Sequence, residues 1–432
     1  MKFAAAVASV VILLAPFSAS GDDVHWAEHA AAIQVVYQAG VPHTDRTGGR
    51  LDAYDADKSF FPIALYHALH GEHRGRRYDL ADFRKAGFNA VVPWERQELK
   101  VLAPVAAAAG VQVILHWPSD ADVASFRDHP AVLAWYLDEE PTGAYWDKDM
   151  AGKFAAFQKR RDAIRAIDPR RAVFALDVPW ITPPATEWWV KWATAGDVSA
   201  HDNYPINQHR RSLSFDQGIP ESVALAVKSN GQKKPVWLCV QAFEQQDARF
   251  QFSMPSPRQL RCMAYTGIAH GATGLMYFAL DSRVTRNGGV VGMAPDPIAD
   301  YGQDLVATND QLRASRELWS AAAAINHEIN ELRPALLSPT ATTPYQVFLD
   351  PSWPPVTPEP IRTLLKTHPT GGQVLIIVNV DAAPQRVRIV VPVMKSAQQM
   401  FEAAGAGRFK VDGEVIELMA TPHDVRVIRI NP

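Results

Sequence analysis

Short apolar runs alternate with amphipathic or alanine-rich segments along most of the chain, beginning near residue 58. Each apolar run has the length of a strand, and each segment after it has the apolar spacing of a helix. Strands that alternate with helices in this way form a parallel sheet. The predicted strands are "FFPIALYHAL", "FNAVVPW", "VQVILHWP", "HPAVLAWYLDEEPTG", "RAVFALDVPW", "GDVSAHDNYPI", "KPVWLCVQAF" and "TGLMYFALD".

Eight strands in this order, each followed by a helical pattern, predict an α/β protein with a (β/α)8 TIM barrel over residues 58–335, near the usual length of such barrels. The main structural alternative is a doubly wound parallel sheet. That fold usually has fewer strands and places a glycine-rich phosphate turn after the first one, and the sequence has no such turn there.

The pattern changes to alternating strands from about residue 340, with Gly, Pro, Asp and Asn turns between them. Residues 340–432 are therefore predicted to form a small all-β sandwich, with one helical segment near 396–403. Residues 21–57 look like a helix and a polar lead-in to the barrel.

Residues 1–20 contain one lysine, a short apolar core and small residues near Ser20, the pattern of a secretory signal peptide. The apolar run is short for a membrane span, and a buried N-terminal helix is the alternative. We expect an exported protein, periplasmic or extracellular, with no membrane span.

A formal net charge of −3 and the lack of a long basic run argue against nucleic acid as a partner. The two cysteines, Cys239 and Cys262, could form a bridge in an oxidising compartment, but two buried thiols are the expectation. The sequence does not indicate an oligomeric state.

Catalytic groups of such barrels lie at the carboxyl ends of the strands. Broad aromatic rings and carboxylates collect there, and this combination suits a carbohydrate substrate, because sugar faces stack on rings and acetal cleavage uses two carboxyl groups. Any single ring could instead fill the upper layer of the barrel. The candidate substrate-binding residues are Tyr66, Trp94, Glu95, His116, Trp117, Glu139, Asp177, Trp180, His201, Tyr204, Gln241 and Tyr277.

The fourth strand ends in three carboxylates and a proline, with Trp135 five residues before Glu140 and Pro141 directly after it. This resembles the clan A glycoside hydrolases, such as β-galactosidases and cellulases, in which strand four reads Trp-x-x-x-Asn-Glu-Pro. The resemblance implies that Glu140 is the acid/base, with Glu139 in place of the Asn. Neighbouring negative charge favours protonation of such an acid. The alternative is that these acids only begin a solvated loop.

The seventh strand departs from the clan pattern, which has a nucleophilic Glu at its end. This chain has Pro235, Trp237 and then Gln241 near the expected place. A Gln is no nucleophile, although it can bind a water, a sugar hydroxyl or an acetamido group. Three replacements are open: Glu244 as nucleophile, Asp202 as the base of an inverting reaction, which we favour slightly, or a nucleophile supplied by the substrate.

The sequence thus predicts a secreted glycoside hydrolase that needs no cofactor, with Glu140 and either Asp202 or Glu244 as its catalytic carboxyls. A non-catalytic carbohydrate-binding barrel is the alternative from another class, because of Gln241. A metal hydrolase is disfavoured: such barrels open with His-x-His on strand one, whereas His67 and His70 are three residues apart.

Overall fold

A computed structural model describes residues 24–432, except 94–97, 146–148, 180–184, 208–211, 216, 247–250, 286–287, 301–305 and 402–408. The predicted signal peptide therefore lies outside the described residues. The strands as far as residue 300 are β1 (Ala27–Glu28), β2 (Ile33–Gln34), β3 (His43–Asp45), β4 (Arg50–Leu51), β5 (Ser59–Phe60), β6 (Ile63–Ala68), β7 (Gly71–His73), β8 (Arg76–Tyr78), β9 (Ala90–Pro93), β10 (Gln112–His116), β11 (Val132–Glu139), β12 (Ala172–Asp177), β13 (Ser199–Asn203), β14 (Val236–Gln241), β15 (Glu244–Gln246), β16 (Gln251–Phe252), β17 (Gly274–Phe278), β18 (Ser282–Thr285) and β19 (Gly288–Val291).

Strands β6, β9, β10, β11, β12, β13, β14 and β17 form a closed parallel barrel in chain order, with β17 beside β6. These are the eight strands predicted from the sequence, so the (β/α)8 fold is confirmed. The helices around the barrel are α1 (Leu80–Lys85), α2 (Leu99–Ala109), α3 (Asp120–Phe126), α4 (Pro141–Tyr145), α5 (Met150–Ile167), α6 (Ala185–Ala195), α7 (Ile219–Ser229), α8 (Pro257–Ala269) and α9 (Asn309–Leu336).

Capping boxes begin three of these helices. Ser119, Ser256 and Thr308 each accept a hydrogen bond from a backbone N–H of the first turn, and the third helical residue bonds back to the cap. Such boxes satisfy two backbone donors that the first turn leaves without a partner. None of the helices in the described part of the chain has both the length and the apolar composition needed to cross a membrane.

Alternate residues of the barrel strands face a separate inner core that includes Tyr136, Phe174 and Trp237. The residues between them pack against the helices in a second, larger core. Trp135 belongs to this outer core, where its indole N–H donates to Asp168 at 2.9 Å. The tryptophan of the strand-four motif therefore anchors β11 to the helix layer and lies away from the mouth.

A small four-stranded sheet, in the order β16-β15-β19-β18, lies at the carboxyl ends of the seventh and eighth barrel strands. The sequence pattern did not predict it, because its strands have only two to four residues. Short strands of this kind carry too little periodicity to detect.

The C-terminal domain is a sandwich of two five-stranded sheets, as predicted. The sheet orders are β1-β20-β23-β26-β25 and β2-β21-β22-β27-β24. The strands after the barrel are β20 (Gln346–Leu349), β21 (Ile361–Thr367), β22 (Gln373–Asn379), β23 (Gln385–Val390), β24 (Ser396–Gln399), β25 (Phe409–Asp412), β26 (Val415–Ala420) and β27 (Val425–Asn431).

Two expectations about helices differ from the structure. The N-terminal segment has only a three-residue 3-10 turn, Ala30–Ala32, and its strands β1 and β2 each complete one sheet of the sandwich. Residues 396–399 form an edge strand rather than the suspected helix. In both places, pairing with strands distant in sequence overrides the local helical tendency of the alanines.

Candidate active site

The end of β11 carries the three consecutive carboxylates of residues 138–140. The pairing of β11 with β12 shifts register at Leu137. Beyond this bulge Glu139 lies opposite Leu176, whose side chain belongs to the inner core. A bulge moves the side chains that follow it to the other face of the strand. Glu139 therefore faces the mouth of the barrel, and Asp138 faces away from it.

Glu140 follows the strand in a left-handed backbone conformation, with φ of 47°. Its N–H donates to the carbonyl of Leu176 at 2.7 Å, which fixes the end of β11 against β12. A left-handed residue breaks the alternation of side-chain directions along a strand. Other residues at strand ends share this uncommon conformation, namely His67, Trp117 and Asp281. Backbone strain of this kind is concentrated at functional edges.

Asp202 at the end of β13 is a buried carboxyl in contact with Glu140. It is 2% exposed, and burial, followed by the charge and hydrogen bonding of Glu140, raises its pKa well above the ordinary range. The Tyr204 hydroxyl contacts the same carboxyl. Among the described residues, neither Asp202 oxygen accepts a hydrogen bond from a well-aligned donor, so nothing there offsets the cost of burying its charge. Asp202 therefore holds its proton beside Glu140.

Asp177 at the end of β12 supports the turn that follows Glu140. It accepts hydrogen bonds from the backbone N–H of Thr142 at 2.9 Å, from the Thr142 hydroxyl, and from the N–H of Val178 at 3.0 Å. Burial raises its pKa to about 8, and the charge of Glu140 adds to the shift. Because its oxygens are occupied by protein donors, Asp177 positions the start of α4 instead of facing a ligand.

Aromatic rings form the floor and one wall of the mouth. Tyr66 is buried, and its pKa is raised by burial and by the nearby carboxylate of Glu139. The Phe278 ring lies 5.7 Å from the rings of both Tyr66 and Tyr204, between centroids. Tyr136 is also buried beneath the carboxylates of Glu139 and Glu140. The sequence reasoning missed Phe278 and Tyr136, although strict alternation from the inner-core residues would have found them.

Trp117 is the exposed aromatic surface of the mouth, with 55% of its area accessible. Its ring stacks on His116 at 3.5 Å between centroids, and His116 stacks on Tyr136 at 4.1 Å. Burial lowers the pKa of His116 to about 3, so the imidazole is neutral and its 4.0 Å contact with Glu139 is not an ion pair. This stack of three rings holds the flat ring of Trp117 beside the carboxylates, where the face of a sugar can stack on it.

Two candidate binding residues face the helix layer. The Nε2 atom of His201 lies 3.1 Å from the Ser222 hydroxyl of α7, and burial lowers the pKa of this histidine to about 3. Tyr277 is fully buried and packs edge-on against Phe88 in the outer core. His201 and Tyr277 each lie next to an inward-facing residue of their strand, so their own side chains point to the outer face. Neither side chain contributes to the mouth.

Gln241 lies at the end of β14 but is fully buried. Its side-chain oxygen accepts from the N–H of Ile206 at 2.8 Å, and its amide nitrogen donates to the carbonyls of Ile206 at 3.1 Å, Phe243 at 3.3 Å and Ser253 at 2.8 Å. The amide of Gln241 therefore has no free group for the predicted contact with a substrate. Gln241 instead fastens the loop after Tyr204 to the loops above β14.

Glu244 is also bound by another part of the fold. It belongs to β15 in the small upper sheet, and its carboxylate accepts a hydrogen bond at 2.7 Å from Gln311 in the first turn of α9. The candidates Trp94, Glu95 and Trp180 lie outside the described residues. Of the three proposed catalytic carboxyls, the structure brings Glu140 and Asp202 together and places Glu244 apart.

The two cysteines are both buried free thiols, as expected. Cys239 faces the inner core below the carboxylates, and Cys262 contacts the carbonyl of Asn379 at 3.3 Å on the other side of α8. Within the described residues, no three His, Cys, Asp or Glu side chains form a group that could hold a metal ion.

Residues 148–290 match the family model of glycoside hydrolase family 42, described as beta-galactosidase. The chain resembles glycoside hydrolases. The match confirms the resemblance to glycoside hydrolases that the sequence indicated. It also confirms the expected enzyme class, at the level of a glycoside hydrolase domain. The match begins after Glu140 and includes the end of β14, so it covers the region that departs from the clan pattern. No curated protein matches the chain in sequence.

Several solved structures share this fold. A family 39 glycoside hydrolase from Bacteroides cellulosilyticus WH2 aligns with a TM-score of 0.50 at 10% identity, covering 92% of this chain and 82% of that one. Amy13B from Eubacterium rectale aligns with a TM-score of 0.50 at 8% identity, covering 92% and 98%. At such low identity these likenesses establish the fold alone.

Proposed function

We propose that the protein is an exported enzyme that hydrolyses O-glycosidic bonds of an oligo- or polysaccharide, with Glu140 as the proton donor. The observation that carries the proposal is the contact between Glu140 and the buried Asp202 at the aromatic mouth of the barrel. The family match of residues 148–290 supports the reaction class.

A general acid must hold a proton at the pH where the enzyme works. Two carboxyls in contact cannot both ionise readily, because like charges repel and burial penalises charge. Burial and the nearby Glu140 raise the pKa of Asp202 well above its ordinary range, so Asp202 keeps a proton beside Glu140. Glu140 is the more accessible of the two carboxyls, so it is the one placed to meet a bridging oxygen.

Asp202 is better suited to share that proton than to act as the base of an inverting reaction. Inverting enzymes separate their carboxyls by about 6.5 to 9.5 Å so that a water fits between them. A hydrogen-bonding contact with Glu140 leaves no such space. Glu244, held by Gln311, is also poorly placed for a direct role.

A carbohydrate fits the remaining features of the site. The exposed ring of Trp117 offers a flat stacking surface next to Glu139, and the rings of Tyr204 and Phe278 close the other side. The signal-like pattern of residues 1–20 supports export, so a glycan outside the cytoplasm is the expected substrate.

The proposal is tested by incubating the protein with a panel of plant, bacterial and host glycans and measuring released reducing ends. We expect release from at least one glycan, and a loss of about 10²- to 10⁴-fold in turnover for Glu140→Gln. Glu331→Gln, the same change at an exposed position on α9, should retain full activity. Equal activity of the two variants would remove Glu140 from the acid role.

A non-catalytic carbohydrate-binding barrel is the second candidate, and one observation favours it. The strand-seven position that carries the nucleophile in clan A is occupied by Gln241, whose amide is committed to the backbone. Binding of a glycan in the same panel without any release of reducing ends would establish this alternative.

A further inference from the structure

A long loop follows the strand that carries Asp202. Residues 204–218 connect the end of β13 to the start of α7, whereas connections in α/β folds usually have about 2 to 6 residues. Tyr204 begins this loop, and its ring lies 5.7 Å from the Phe278 ring between centroids. Its hydroxyl lies 3.9 Å from the Sγ atom of Cys239, the residue paired with Asp202 on the neighbouring strand. The conformation of the loop therefore affects where Tyr204 lies in the mouth.

The C-terminal sandwich holds the centre of this loop. The N–H of Leu213 donates to the carbonyl of Val380 at 2.9 Å, and the Ser212 hydroxyl donates to the same carbonyl at 3.2 Å. Ser212 and Asp381 also form an antiparallel β-bridge. These contacts join the loop after strand six to the turn that follows β22.

Two anchors in the barrel hold the ends of the same loop. Gln241 binds Ile206 near its start, and the side-chain amide of Asn203 donates to the carbonyl of Gln217 near its end at 2.9 Å. Ser212 lies between these anchors along the chain. The sandwich therefore holds the part of the loop that is most distant from both of them.

Asp381 fixes the turn that presents the Val380 carbonyl. Its side chain is fully buried, and it accepts from the N–H groups of Val356 and Thr357 at 2.7 Å each and from that of Ala383 at 3.0 Å. A carboxylate makes stronger bonds to backbone N–H groups than a neutral acceptor does. The turn after β22 is thus held in one conformation around this carboxylate.

We propose that Asp381 is a positioning residue for the reaction: it holds the turn at Val380, and through that turn the loop that begins with Tyr204. This inference rests on the proposed function. Releasing the centre of a long loop increases the number of conformations available to the rest of it, including Tyr204. The sandwich thus contributes to the reaction from outside the barrel.

Asp381→Asn tests the assignment, because an amide nitrogen cannot accept and at least one of the three bonds is lost. On a glycoside that the wild type hydrolyses, kcat should fall about 10- to 100-fold with little change in KM. Asp350→Asn is the matched control. Asp350 is also buried in the sandwich, where it accepts from Ser352 at 3.0 Å and from Arg386 at 3.4 Å. This control should lower the melting temperature by a similar amount and keep the wild-type kcat.

Hydrogen exchange of the native proteins gives a second readout, which needs no substrate. The peptide that contains Leu213 should exchange faster in Asp381→Asn than in the wild type, and at the wild-type rate in Asp350→Asn. Equal exchange of this peptide in all three proteins overturns the inference.

Ser212→Asp tests the same contact from the barrel, so a failure of Asp381→Asn to fold does not stop the test. It sets a carboxylate against the Val380 carbonyl and should also lower kcat about 10- to 100-fold. Ser320→Asp, the same change at an exposed position of α9, should keep the full kcat.

Wild-type kcat in Ser212→Asp, or equal kcat in Asp381→Asn and Asp350→Asn, overturns this inference and leaves the proposed function standing. Absence of hydrolysis by the wild type on every glycoside of the panel overturns both.

Discussion

The role of Gln241 decides whether the end of strand seven is structural or catalytic. Its side chain makes four hydrogen bonds to backbone groups from three loops at the rim of the barrel. Gln241→Ala removes all four. At about 1 kcal/mol net for each bond the loss is about 4 kcal/mol, and the Ile206 N–H is left without an acceptor.

The assay is thermal unfolding at a fixed scan rate, because a two-domain chain of this size need not unfold in two states. At about 2 °C per kcal/mol, the apparent melting temperature of Gln241→Ala should fall by about 8 °C. Gln346→Ala, the same change at an exposed position of β20, serves as the control and should fall by less than about 1 °C.

Gln241→Glu adds a sharper comparison. It keeps the shape of the side chain but faces the carbonyls of Ile206, Phe243 and Ser253 with an acceptor, so it should also be destabilised, with no gain in hydrolysis. A Gln241→Glu protein of wild-type stability and higher activity would contradict the structural role of Gln241, because the side chain at position 241 would then have to face the mouth.

Three further predictions concern the site. Asp177→Asn should make stability depend less on pH. The pKa of Asp177 is raised to about 8 in the folded state, so this carboxyl lowers stability progressively as pH rises from about 4 to about 8. The variant should therefore become more stable relative to wild type over that window, as measured by melting at a series of pH values. Asp202→Asn should change the alkaline limb of the kcat/KM profile, because the raised pKa of Asp202 is removed with its carboxyl and an amide does not titrate; an unchanged limb would argue against a role for Asp202 in the reaction. Trp117→Ala should raise KM about 3- to 10-fold with little change in kcat or melting temperature, since an exposed stacking ring is lost; an unchanged KM would remove Trp117 from the binding surface.

The sequence pattern predicted the barrel because each strand and helix is long enough to show its own periodicity. It also predicted that Glu140 and Asp202 lie at the carboxyl ends of strands four and six, on one rim of the barrel, and the structure brings these two carboxyls into contact. This follows from topology, since parallel strands in chain order bring their carboxyl ends to one rim.

Other features of the site depend on pairing between strands and could not be predicted from one segment at a time. The bulge at Leu137, which turns Glu139 inward, is defined only against β12. The partners of Gln241 come from loops after two other strands. By contrast, the outward direction of His201 and Tyr277 could have been predicted by counting alternation from their inner-core neighbours.

The N-terminal strands show the same limit on a larger scale. β1 and β2 are two residues each, and their partners lie more than 300 residues further along the chain. Such short strands have no local signal, and only the open sheet edges of the sandwich specify them. The first part of the predicted lead-in, β1 and β2, therefore belongs to the C-terminal domain in space, whereas β3 and β4 pair in a separate sheet with β5.

The proposed transfer of a proton from Glu140 to the leaving oxygen is tested by the leaving-group dependence of the Glu140→Gln variant. We would measure kcat/KM on aryl glycosides of one sugar whose phenols span a wide range of acidity. We expect losses within about 10-fold for the most acidic phenols and of about 10²- to 10⁴-fold for unactivated ones. A loss of the same size across the whole series would contradict it.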